Sequence, residues 1–105
     1  MSAPLIASLR AQCGGPRDGA LLRFSLGNAL LAVGQAAEAS GELRRAVGFD
    51  PLYSAAWKLL GKACLAVDDA AGAVEAWTQG IAAARQRGDK QAEKEMAVFL
   101  RRLQA

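Results

Sequence analysis

The sequence predicts an all-α fold of about six helices paired as antiparallel hairpins, and three observations carry that expectation. Ala and Leu dominate a composition that is 52% hydrophobic but only 6% aromatic, and the scarcity of β-branched residues favours helix over sheet. Apolar residues recur at intervals of three and four, as Leu22, Leu26, Leu30 and Val33, then as Ala36, Ala39, Leu43, Ala46 and Val47, which is the period of one helix face. The chain also repeats at a shift of 34 residues, setting Leu26-Gly27 on Leu60-Gly61, Leu30 on Cys64, Ala39 on Ala73, Leu43 on Trp77 and Val47 on Ile81. A period of that length marks a stacked helical array.

Each unit reads as two amphipathic helices around a short turn. Gly34 is the stop residue in the first unit and Asp68-Asp69 the turn and N-cap in the second, so a tight connection forces the helices antiparallel. Residues 20–53 form the first unit and 54–87 the second, with Pro51 separating them because it cannot sit inside a helix. Leu5, Leu9, Cys13 and Gly14 fall in phase with Ala39, Leu43, Val47 and Gly48, which makes residues 1–15 an N-terminal half-unit cap. After Gly88 the register breaks, with Lys94 and Glu95 where Leu and Gly belong. Residues 88–105 instead carry one apolar stripe of Ala92, Met96, Phe99, Leu100 and Leu103, as a helix closing the array would. A chain of 105 residues is one domain with one modest core.

These residues resemble the tetratricopeptide repeat, whose pattern is Trp-x2-Leu-Gly-x2-Tyr, then Ala-x3-Phe, then Pro. The second unit matches with Trp57, Leu60, Gly61, Ala73 and Trp77, and carries Cys64 at the Tyr position and Gly80 at a usual Ala. The first matches with Leu26, Gly27, Ala39, Leu43, Ala46 and Pro51, and departs with Arg23 at the Trp position and Leu30 at the Tyr position. The resemblance implies a right-handed superhelical array that binds another protein, a peptide or helix segment, in its concave groove. In the repeats it is similar to, the first helix of each hairpin lines that groove, which selects Leu21, Phe24, Asn28 and Leu31 from the first unit and Lys58, Leu59, Lys62 and Leu65 from the second. Gly27 and Gly61 are expected to admit the paired helix at Ala39 and Ala73, while Leu43 and Trp77 fill the space between hairpins.

Other functions find little support. The chain has no His, Ser25, Ser40 and Ser54 have no partner at a recognisable spacing, and Gly14-Gly15-Pro16 lacks the Gly-Lys-Ser/Thr of a phosphate loop. Asp68-Asp69 is better explained by a turn than by paired carboxylates. Cys13 and Cys64 stand far apart with no Cys/His cluster for a metal, so neither catalysis, a metal nor a cofactor is expected. The net charge of +3 is spread, five basic against four acidic residues over 1–50 and four against three over the last 18, so a charge-driven nucleic-acid role lacks the aligned basic and stacking residues it needs. There is no apolar run of membrane length and no leader-like N-terminus, which points to a cytoplasmic protein with reduced thiols. Lys58 and Lys62, four apart on one face, either await an acidic group or are two solvated lysines, the plainer reading. The family's chaperone-tail clamp keeps only Asn28, since Phe24, Leu59, Asp89 and Glu93 replace its other members. Exposed apolar groove residues also leave open pairing of two copies as a homodimer.

The apolar stripe of the last helix generates a first test. Truncation after Arg87 should destabilise the chain severely, because each Å² of apolar surface exposed on the last hairpin forfeits roughly 25 cal/mol. Thermal melting of the shortened chain measures this. An unchanged midpoint would mean that the last helix is free.

Overall fold

The computed structural model describes residues 2–105; Met1, the first residue of the expected N-terminal cap, lies outside the described residues. Among the described residues there are six helices: α1 (Ser2–Gln12), α2 (Ala20–Ala32), α3 (Ala36–Phe49), α4 (Ser54–Ala66), α5 (Ala70–Arg87) and α6 (Lys90–Gln104). Packing follows chain order, α2 against α3 and α4 against α5 most extensively, then α5 against α6, α3 against α4 and α1 against α2. The first helices of successive hairpins, α2 with α4 and α4 with α6, meet over a smaller area.

Helix ends follow from local chemistry. α2, α4 and α5 each stop at a left-handed residue, Gly34 (φ +82°), Asp68 (φ +61°) and Gly88 (φ +74°). In each case the next residue's N–H reaches back to the last turn, Gln35 to the Leu30 carbonyl (2.9 Å), Asp69 to Cys64 (2.8 Å) and Asp89 to Ala84 (2.8 Å), which satisfies carbonyls the helix end leaves open. Asp68 occupies Gly34's place because a short polar side chain tolerates that conformation better than others. Asp69 and Asp89 then cap α5 and α6, accepting from the N–H groups of Gly72 (2.9 Å) and Ala92 (3.1 Å).

Each hairpin closes over its glycine, and the side chain that fills the gap differs from the expectation. A Cβ on Gly27 would stand 2.6 Å from Leu43 Cγ, and one on Gly61 would overlap the Trp77 indole, 2.6 Å from Cδ1. Leu43 and Trp77 thus pack inside their own hairpins, and Ala39 lies behind Leu43, its carbonyl oxygen 3.4 Å from where a Gly27 Cβ would stand. Trp77 also reaches outward: its Nε1 donates to the Lys58 carbonyl (3.0 Å) and its ring lies 5.3 Å from that of Phe99 on α6. The core cluster runs without a break from Ile6 through Leu26, Leu30, Leu43, Leu60 and Trp77 to Met96.

The register of α6 is delayed rather than lost. The N-caps of α2 and α4 are Gly19 and Tyr53, 34 apart, and that of α6 is Asp89, two residues later than the same interval would place it. α5 has 18 residues where α3 has 14, and a single Gly88 replaces the Pro51 connection. Counted from the caps, Met96 and Ala97 stand where Leu60 and Gly61 stand in α4. Met96 is fully buried and seats against Gly80, whose bare Cα it shares with Trp57.

Arg23, at the position where the second hairpin has Trp57, is only 8% exposed. Its guanidinium donates to both Asp18 oxygens (2.8 Å each) and to Glu42 Oε1 (2.7 Å), and Asp18 also accepts from the Gly14 N–H (2.9 Å). This two-pronged pairing suits a planar guanidinium and ties the 13–19 loop, α2 and α3 together. Trp57 does the same task with an indole, donating to the Pro51 carbonyl (2.8 Å) in the preceding connection. The Arg23 hydrogen bonds hold the Asp18 carboxyl well below the usual carboxylate range, and the N–H of Ala92 with the Ser54 hydroxyl lowers Asp89 as well.

Two tests follow from the packing. Gly61→Leu should lose about 3 kcal/mol or more through overpacking on Trp77, while Lys62→Ala, one residue away and exposed, should lose little; equal losses in urea unfolding would misplace the helix faces. Because Asp18 is depressed in the folded state, its contribution is present above its unfolded value near pH ~4 and is lost as pH falls through its lower folded value. Asp18→Asn should therefore lower stability at neutral pH and make the acid fall shallower. Parallel acid limbs for the two proteins would contradict the fork.

Candidate functional site

The eight groove candidates lie on α2 and α4; three of them, Phe24, Asn28 and Leu65, line two hollows, and two, Lys58 and Lys62, meet α6. At the α2 end, Leu21 is 68% exposed, and Phe24 and Asn28 line a hollow of about 490 Å³ with Leu5 and Leu9 of α1 and Ser25, Ala29 and Ala32 of α2. Phe24 is half-buried because its ring leans on Tyr53, centroids 5.0 Å apart and tilted by 34°. That contact joins α2 to the start of α4, so Phe24 serves the fold as well as the surface. Leu31 and Leu59 are likewise half-buried and packed on the core. At the other end, Leu65, 38% exposed, borders a second hollow of about 300 Å³ with Trp77, Phe99, Arg102 and Leu103.

Lys58 and Lys62 lie between, and α6 engages both. Lys58 Nζ donates to Glu95 Oε1 (2.9 Å), and Lys62 Nζ stands 5.1 Å from the Phe99 centroid, within cation–π range. Lys58 is therefore already paired within the chain, while Lys62 stays exposed to solvent over the Phe99 ring. Glu95 as the acidic partner was not legible from local spacing, since it lies 37 residues from Lys58. The spacing of the helix caps carries the missing signal, because it sets Glu95 and Phe99 one helix row over from the lysines. Of the clamp positions, Asp89 caps α6 and Glu93 pairs with Arg85 (2.7 Å).

The polar groups elsewhere are absorbed by structure. Ser54 does have a partner, Asp89, to which its hydroxyl donates (2.8 Å), fastening the start of α6 to the start of α4. Burial pushes the Cys64 thiol up, which disfavours a nucleophilic thiolate despite Arg44 at 3.7 Å. Cys13 and Cys64 are free thiols. Among the described residues no three His, Cys, Asp or Glu side chains gather as metal ligands, and no helix is long and apolar enough to cross a membrane.

No family model matches the chain. It is 60% identical over 86 residues to the TPR repeat-containing protein PA0015 of Pseudomonas aeruginosa, covering 82% of both chains. The chain belongs to the tetratricopeptide repeat family. It is also similar to a solution structure of protein BPP2914 from Bordetella parapertussis, with TM-score 0.79 and 47% identity over 94% of this chain and 86% of that one. Six helices in sequential hairpins agree with such an array. Tetratricopeptide repeats generally mediate protein–protein interaction and are generally non-catalytic.

Proposed function

We propose that this tetratricopeptide repeat protein is a cytoplasmic, non-catalytic adaptor whose face of α2 and α4 receives a helix or extended segment of a partner protein. The observation that carries the reading is the apolar hollow beside Leu65, which an apolar anchor residue of a partner can fill while Lys62 and Arg102 stand nearby. Leu21 and the half-buried Leu31 and Leu59 would extend the apolar contact toward Phe24 and Asn28. An acidic group on the partner has to compete with Glu95 for Lys58, so apolar contact leads and charge only orients. The free thiols favour the cytoplasmic setting.

The test is a pull-down with the intact chain followed by calorimetric titration of the captured partner. Leu65→Ala should weaken binding by about 1–3 kcal/mol, as loss of an anchor contact does, with the melting temperature unchanged. Phe24→Ala should lower both affinity and stability, because Tyr53 loses its neighbour. Unchanged affinity in both variants would remove the groove from consideration. A mass that rises with concentration in sedimentation and returns to the monomer in Leu65→Ala would give the groove to a second copy of the chain.

A further inference from the structure

The basic residues are spread along the sequence, yet folding gathers them on one part of the groove face. Counted from the helix caps Gly19, Tyr53 and Asp89, the groove places of α2 hold Phe24, Asn28, Leu31 and Ala32, none of them charged. The same places hold Lys58, Lys62, Leu65 and Ala66 on α4, and Lys94, Val98, Arg101 and Arg102 on α6. Glu95, bonded to Lys58, is the carboxylate set among them. Five cations against one carboxylate is a larger excess than the +3 of the whole chain.

That excess surrounds an apolar hollow. Arg102 lines it with Leu65, Trp77, Phe99 and Leu103, and Lys62 stands over the Phe99 ring. Lys94 and Arg101, both exposed, lie at the outer rim of α6. Glu95 is spent on Lys58, but among the described residues Lys62, Lys94, Arg101 and Arg102 have no carboxylate within ion-pair reach. Cations gathered without counter-charge repel one another, and an acidic ligand relieves that repulsion.

We propose that the partner segment is acidic, with one large apolar side chain in the Leu65–Phe99 hollow and flanking carboxylates on Lys62 at the α4 side and on Lys94, Arg101 and Arg102 at the α6 side. The inference rests on the adaptor reading and adds the partner's chemistry and the half of the face that it uses. None of these cations falls at a position of the family's chaperone-tail clamp, so the surface is a different one.

Charge selects the occupant. A second copy has few acids to offer: among the described carboxylates only Asp68 and Glu75 have neither an ion pair nor a hydrogen bond. Those two stand apart, one in the α4–α5 turn and one on α5. Pairing about a two-fold axis would set one cationic face against another. A nucleic acid would supply anions but leave the apolar hollow unfilled, and with Trp77 buried and Phe99 under Lys62 there is no free aromatic platform for its bases.

The probes are capped synthetic peptides titrated into isotope-labelled full chain: a leucine flanked on both sides by glutamates, the same peptide with glutamine for every glutamate, and the acidic peptide with alanine for leucine. Saturable amide shifts from the first should centre on Lys62, Leu65, Phe99 and Arg102, and its affinity should fall as salt rises. The glutamine and alanine peptides should each bind about tenfold more weakly, as loss of several exposed ion pairs or of one anchor does. Arg101→Glu together with Arg102→Glu should abolish binding in a chain that melts as the parent does, since both side chains are exposed. Glu95→Gln should strengthen binding about two- to fivefold by releasing Lys58. Equal binding of the glutamate and glutamine peptides, both lost in Leu65→Ala, overturns the acidic partner and leaves the adaptor groove standing. No saturable shift at millimolar acidic peptide also overturns it, and the pull-down then decides the adaptor reading separately. So does an alanine peptide as tight as the leucine one, an oligouridylate that binds more tightly than the acidic peptide, or a dimer that Arg101→Glu with Arg102→Glu disperses.

Discussion

The structure depends on the places where a helix has no side chain. At Gly61 the Trp77 indole lies directly on the α4 backbone, near enough to donate to the Lys58 carbonyl. That depth sets the level of Phe99, which packs on Trp77, and Phe99 in turn supports the Lys62 ammonium. The exposed Lys62 side chain is thus positioned through three contacts that begin at one absent Cβ. Gly27 does the same for Leu43 with a smaller filler, so the first hairpin closes without an aromatic. Interiors packed to this density transmit even a one-carbon change, which is why Leu-Gly survives in both units while other signature residues vary.

Much of the fold was legible because it is written in local periodicity. Helix number, the stop at Gly34 and the cap at Asp69 follow from spacings within a few residues, and hairpin pairing from the 34-residue repeat. The positions that could not be read are those whose partners are distant in sequence. Arg23 looks like a missing Trp until Asp18 and Glu42, 5 and 19 residues away, are brought around it. α6 looks out of register because α5 is lengthened and its connection shortened, an exchange no apolar pattern announces. In the candidate site, Leu21 and Leu65 are as accessible as their helix positions suggest, whereas Phe24, Lys58 and Lys62 each found neighbours on another helix. Spacing along one helix tells which way a side chain points, and only the neighbouring helix tells what it meets.

The two ends of the array are unlike. α6 turns Lys90, Lys94 and Arg101 outward and buries Met96, so a charged face closes that end. α1 has a single charged residue among those described, Arg10, which is spent on Glu38 of α3 (2.7 Å) and leaves an apolar face toward the hollow at Phe24. Repeat arrays need polar outer faces to stay apart from one another. Among the described residues the α6 end has such a face and the α1 end does not.

The substitution of Arg23 for an indole also makes one mooring sensitive to acid and leaves the other indifferent to it. Each hairpin is moored to the connection before it, the second by a neutral donor on the Pro51 carbonyl and the first by two carboxylates on a guanidinium. Protonation leaves the neutral mooring as it was and dismantles the ionic one. In a quasi-one-dimensional array, where each unit is held chiefly by its neighbours, acid then loosens the first hairpin at its mooring and the start of α6 at Asp89, while the Trp57 tie between them persists.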